Sequence, residues 1–265
     1  ANPILNRIEE MIMGYRIQAS CLCSIGAKRR NNEDNFYFDG KTLEEENEGL
    51  RNPVSIDTEL TNGLCMAIFD GMGGENFGEY ASYAAARKMQ SCQRTFADFF
   101  IPEKKYLERM TAQLNAAVLA AADEKGTRRM GSTMVSLYYT ARMVYVCNLG
   151  DSRAYRLRDG EFSQMSRDHI STRPMPIGKK PPLTQHLGID PEDMLIEPYI
   201  VKAELRKGDQ YLLCSDGLTD MVENVEISDI LLRGETTEEC VSSLVQAAME
   251  HGGWDNITVI LCRID

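Results

Sequence analysis

Four aspartates stand where apolar segments give way to glycine or a small residue. Asp70 closes LCMAIFD before GMGG, Asp151 follows VYVCNLG, Asp216 follows YLLCS, and Asp255 precedes NITVILC. A carboxylate at the end of a buried strand is costly to desolvate unless something compensates it. Taken singly, each is an ordinary Asp–Gly turn. Taken together, four such ends could converge at one edge of a sandwich, where cations would compensate them jointly. Donors that are all oxygen suit magnesium or manganese rather than zinc or copper. Gly71, Gly73 and Gly74 leave backbone exposed beside Asp70, so a carbonyl there offers a further hard ligand.

Other chemistries lack their residues. There is no G-x-S-x-G elbow, Walker A loop or H-E-x-x-H pair. GMGGENFG resembles a dinucleotide fingerprint only loosely, because the third glycine is misplaced. His169, His186 and His251 fit no zinc spacing and read as surface or loop residues. The eight cysteines form no C-x-x-C pair, and Cys147 and Cys214 sit inside apolar runs like small core residues.

With 29 basic and 40 acidic residues the formal net charge is -11, which argues against nucleic acid or an anionic membrane as partner. The opening ANPILNRIEEMIMGY carries charges where a signal peptide would be apolar, and no run approaches the ~18 apolar residues of a membrane span. These features point to a reducing, cytoplasmic setting.

The elements that must position the aspartates are legible in outline. A short amphipathic helix is expected up to Met13, followed by a period-2 strand through Ile17, Ala19, Cys21, Cys23 and Ile25. NFYF reads as a strand, residues 40–63 as an acidic surface loop, and LCMAIFD as a strand ending at the glycine turn. Two long helices are expected over 76–99 and 102–123 on alanine-rich apolar stripes. TMVSLYYT, MVYVCNL and RAYRLR then read as strands, with Asp159-Gly160 as a hairpin signal. Residues 166–198 form an irregular excursion, MLIEPYIV and QYLLCS are strands, helices cover 227–233 and 237–250, and NITVILCRI is the last strand. Runs of strands between helix pairs exclude a doubly wound sheet and imply antiparallel sheets with helices outside.

RRNNEDN (29–35), FDGMGG (69–74), GST (131–133), NLGDSR (148–153), LLCSDGL (212–218) and WDNITV (254–259) occur in this order along nearly the whole chain. The series resembles the type 2C family of metal-dependent serine/threonine protein phosphatases, and DGMGG resembles its bacterial branch. The resemblance implies one catalytic domain over 1–265 with an α+β, four-layer αββα sandwich: two antiparallel sheets flanked by helix pairs. It implies two divalent cations, Mn2+ or Mg2+, with a weaker third. Asp70 would bridge the pair with the Gly71 carbonyl on one side, and Asp216 and Asp255 would hold the other cation. Glu33 and Asp34 match the acidic pair that binds metal or orients its water. Asp151, Asp216 and Asp220 match the third site. Arg29 matches the arginine that grips the substrate phosphate. Lys28 and Arg30 are its equals as exposed cations, so only motif position selects Arg29.

The implied reaction is hydrolysis of phosphoserine and phosphothreonine by direct attack of a metal-bridging hydroxide. Two cations about 3.5–4 Å apart acidify a shared water, hold it in line with phosphorus and offset developing charge. Phosphoproteins are the implied substrates and a serine/threonine kinase the implied counterpart. In two respects the sequence departs from the family. Met72 stands where many eukaryotic relatives carry a histidine proposed as general acid. The segment 170–193, aligned with the family's mobile flap, is short and proline-rich, which implies an altered preference among phosphopeptides. The same ligands would serve a phosphatase of small metabolites. An inactive binding module is the remaining reading, and the presence of Asp70, Asp216 and Asp255 argues against it.

Overall fold

The computed structural model describes residues 14–72, 77–92, 94, 98, 100–176, 180–233 and 236–265. The helix expected up to Met13, together with Gly73 and Gly74, lies outside them. In order the elements are β1 (Arg16–Ser24), β2 (Asp34–Phe38), β3 (Val54–Glu59), β4 (Cys65–Met72), α1 (Gly78–Ser91), α2 (Glu103–Glu124), β5 (Gly131–Ser132), β6 (Met134–Tyr139), β7 (Met143–Leu149), β8 (Arg153–Arg158), β9 (Glu161–Gln164), β10 (Tyr199–Glu204), β11 (Gln210–Cys214), α3 (Asp216–Thr219), α4 (Asn224–Leu232), α5 (Thr237–Glu250) and β12 (Ile257–Ile264).

Period-2 patterning decides which layer each strand faces. On β1, Ile17, Ala19, Cys21 and Cys23 enter one buried cluster, while Leu22 enters another. On β4, Met66 and Ile68 face the first cluster, and Ala67 and Phe69 face the cluster beneath α1 and α2. The pairings resolve this into two antiparallel sheets, β3-β1-β12-β11-β8-β9 and β10-β7-β6-β4-β2, with β5 paired to β4. The first cluster fills the space between the sheets. The second lies under α1 and α2, where Ala81, Ala85 and Ala86 let a helix approach the sheet closely. The third lies under α4 and α5. The layers are therefore helix, sheet, sheet, helix, as expected. Each fully buried leucine or isoleucine side chain contributes ~2 kcal/mol to holding them together. At the start of α5, Thr236 and Glu239 cap each other's backbone N–H groups at 3.2 Å.

Four expectations need correction. The acidic stretch 40–63 contains an edge strand, β3, paired with β1 from Arg16↔Glu59 to Cys21↔Val54. Only Val54 and Ile56 pack inward; the acidic residues face solvent, as edge strands require. Helix α1 stops at Ser91 rather than at residue 99. β10 begins at Tyr199, after Pro198, which has no N–H to donate to a ladder. β4 does not end at Asp70 but continues to Met72, because Gly71 and Met72 pair with Ser132 and Gly131.

Candidate active site

Strand ends from both sheets meet at one rim of the sandwich. β2 and β4 pair antiparallel with Asp34 opposite Asp70, so the two carboxyl groups share a face of the sheet. Asp34 reaches across to the other sheet, where its Oδ2 accepts hydrogen bonds from Ser215 Oγ at 2.7 Å and Thr258 Oγ1 at 2.6 Å. Its Oδ1 is buried without a hydrogen-bond partner. Asp70 is fixed through its backbone: its N–H donates to Thr133 Oγ1 at 3.1 Å and its carbonyl accepts from Thr133 N at 2.8 Å. Thr133 Oγ1 in turn contacts Ser152 Oγ at 2.7 Å. Gly71 N donates to the Glu33 carbonyl at 2.9 Å. A Cβ on Gly71 would overlap the Gly78 carbonyl, so only glycine lets these backbones meet.

Asp255 lies in the turn before β12, where its Oδ1 accepts from Asn256 N at 2.9 Å and its Oδ2 from Arg29 Nη2 at 2.8 Å. Arg29 Nη1 lies 3.8 Å from Glu33 Oε2. Asn256, 2% exposed, locks this loop to the turn. Its Oδ1 accepts from Glu33 N at 2.8 Å, and its Nδ2 donates to the carbonyls of Ile25 and Asn31 at 2.9 and 3.1 Å. Asp216 opens α3, and its Oδ2 lies 2.5 Å from Lys180 Nζ. Asp220, one helical turn on, pairs with the same ammonium.

The acids lie close enough to raise the cost of charging one another. Burial lifts the Asp70 carboxyl well above the usual range, and the charges of Asp216, Asp34, Asp151 and Asp255 lift it further. Burial pushes Asp34 up to about 7, against the opposing hydrogen bonds from Thr258 and Ser215. Burial and then Asp216 push Asp151 up to about 6, while Lys180 pulls it down. Asp216 is raised by burial and lowered by Lys180, and Glu33 is raised by burial and lowered by Arg29.

These residues fit divalent cations. The converging donors are oxygens, one buried carboxylate oxygen is unpartnered, and the chain's own cations, Arg29 and Lys180, lie on the carboxylates. Among the described residues no three acids are already drawn to a common ligand point. A model of the family described as Protein phosphatase 2C matches residues 54–248.

The chain belongs to the protein phosphatase 2C family.

Individual relatives agree. The serine/threonine protein phosphatase PstP of Mycobacterium tuberculosis is 30% identical over 230 residues, 82% of this chain and 43% of its own length, so this chain spans less than half of that relative. The serine/threonine phosphatase stp of Listeria innocua is 30% identical over 251 residues, 89% of this chain and 91% of its own. A solved structure of the PstP catalytic domain in complex with two manganese ions superposes with a TM-score of 0.70 at 25% identity, covering 94% of this chain and 99% of that one. Both relatives are bacterial, as the DGMGG form suggested.

Every site residue expected from the protein phosphatase 2C resemblance stands at or beside this rim. What sequence reasoning passed over are the residues that hold them: Asn256, Thr133, Ser152, Ser215 and Thr258. Asn256 and Thr258 lie inside WDNITV, Ser152 inside NLGDSR, and Ser215 inside LLCSDGL, so the signal was present in the motifs. His169 lies in the loop after β9, as expected, where its Nδ1 accepts from Gly150 N at 3.2 Å and its backbone N–H donates to the Gly150 carbonyl at 2.9 Å, beside Asp151. Met72 pairs with Gly131, and His186 packs on that same glycine: a Cβ there would come within 2.8 Å of His186 Nδ1 and 3.1 Å of Met72 Cε.

Proposed function

We propose that this chain is a metal-dependent phosphoprotein phosphatase hydrolysing phosphoserine and phosphothreonine, with 1–265 as one catalytic domain. The observation that carries the reading is the gathering of Asp34, Asp70, Asp151, Asp216 and Asp255 so closely that each raises the cost of charging Asp70. Family membership and a manganese-loaded PstP structure support it.

Asp70, with the Gly71 carbonyl, would bridge two cations, Mn2+ or Mg2+; Asp216 and Asp255 would hold one of them. Glu33 and Asp34 would orient water, and Asp151, Asp216 and Asp220 would form a weaker third position. When bound, such a pair would supply an acidified water as nucleophile for direct attack and positive charge to offset that on the phosphoryl oxygens. The chain's own contribution is spacing and clamping. Thr133 and Asn256 fix the strand end and the loop, and Arg29 offers a planar donor fork that matches two phosphate oxygens.

A serine/threonine kinase whose products this chain reverses is the counterpart the reading implies. The setting is cytoplasmic. All eight cysteines are free thiols and seven are buried, as in a reducing compartment. Among the described residues no helix is long and apolar enough to cross a membrane.

The test is hydrolysis of a phosphothreonine peptide and of a sugar phosphate by the metal-stripped protein with Mn2+, Mg2+ or chelator. Peptide turnover that requires the cation and exceeds that of the sugar phosphate is expected. No turnover in any condition would overturn the reading in favour of a binding module.

A further inference from the structure

The acidic corner around Asp216 and Asp220 already holds a cation, and it belongs to the chain. Lys180 Nζ lies 2.5 Å from Asp216 Oδ2 and pairs also with Asp220 Oδ2. The two carboxylates are four residues apart on one helical face, which brings both to a single point. Asp151, the third acid of the corner, feels the same ammonium.

The position of Lys180 is built. The chain after it is pinned by Ser171 N donating to the Pro182 carbonyl at 2.9 Å, Thr184 N to the His169 carbonyl at 2.8 Å, and Leu187 N to the Ser132 carbonyl at 2.8 Å. Pro181 and Pro182 restrict the intervening backbone. A tethered ammonium held this way presents itself at high effective concentration, so a free ion must compete against it continuously.

We propose that the Lys180 ammonium takes the place of a third divalent cation, so that a third ion binds only by displacing it. The inference rests on the two-cation reading above and narrows it: this chain works with two metal ions and one positioned lysine. An ammonium carries one charge and three donors, enough to hold both Asp216 and Asp220 and offset one of their two charges but not to acidify water as a divalent ion does.

The experiment is a Mn2+ titration of the full metal-stripped chain, following free Mn2+ by electron paramagnetic resonance, for the wild type, K180M, K180R and K180M/D220N. Lys180 is half exposed, with side-chain accessibility of 55%, so its replacement leaves the core untouched. The wild type and K180R are expected to bind two ions. K180M is expected to bind a third with affinity raised about tenfold or more, the effect of relieving one close charge pair. K180M/D220N should lose that ion again, which places it. Equal numbers and affinities in the wild type and K180M, with two ions still bound, would overturn this inference alone. No Mn2+ bound by any variant would overturn the two-cation reading and this inference with it.

Discussion

Asp34 and Asp70 face each other on one rung of the β2–β4 ladder. Like charges directly opposite on a sheet destabilise it, and here one of the pair also has a buried, unpartnered oxygen. Without cations the fold tolerates this rung by keeping a proton on it. Asp34 titrates near 7, against about 3.9 in an unfolded chain. The folded state thus binds more protons than the unfolded state between these values, and stability falls as pH rises through the window.

Thermal unfolding in chelator should therefore shift to lower temperature as pH rises between about 4 and 7. Saturating Mn2+ should remove the dependence, because the cation replaces the proton. Asp34→Asn should flatten the chelator curve. A midpoint that rises with pH in chelator would contradict the account of this rung.

Asp216→Asn should lower phosphopeptide turnover by roughly 100-fold or more while leaving the circular dichroism spectrum unchanged. Asp216 is the first residue of a one-turn helix at the rim, outside all three buried clusters. Loss of its charge removes a cation ligand without opening a cavity. Normal turnover by the purified variant would refute its role.

Arg29→Ala should raise KM about tenfold or more, the worth of one charge-assisted hydrogen bond, with kcat changed little. The guanidinium lies on Asp255 and near Glu33 with 43% of its side chain exposed, so a phosphate can reach it. Steady-state kinetics decide the matter: a collapse of kcat at constant KM would show that Arg29 is more than a substrate clamp.

The four strand-end aspartates were legible because each interrupts an apolar run, and the layering was legible because β1 and β4 alternate cleanly. Long-range partners were not. Asp34 is held by Ser215 and Thr258, 181 and 224 positions away, and nothing in the local pattern announces that meeting. Lys180 read as part of a surface segment because its partner Asp216 is 36 positions on. β3 read as a loop because the charges that protect an exposed sheet edge are the same residues that mark loops.

Gly71→Ala tests the strand end from its backbone. A methyl group there must push against the Gly78 carbonyl and, at 2.7 Å, the Glu33 carbonyl, and neither is a flexible side-chain tip. Overpacking of this kind costs about 1–3 kcal/mol, lowering the unfolding midpoint in denaturant. A midpoint unchanged from the wild type would show that α1 and the Glu33 loop move aside freely.

Asn256→Ala separates clamping from cation binding. The side chain makes three hydrogen bonds to the backbone of residues 25–33 and carries no charge. Its truncation takes a partner from the Glu33 N–H and from the carbonyls of Ile25 and Asn31, a loss of about 0.5–1.5 kcal/mol per hydrogen bond. The loop bearing Arg29 is then released from Asp255, so KM for a phosphopeptide should rise while the wild-type number of Mn2+ ions still binds. If KM holds and an ion is lost instead, Asn256 supports the metal site directly and the loop finds its position without it.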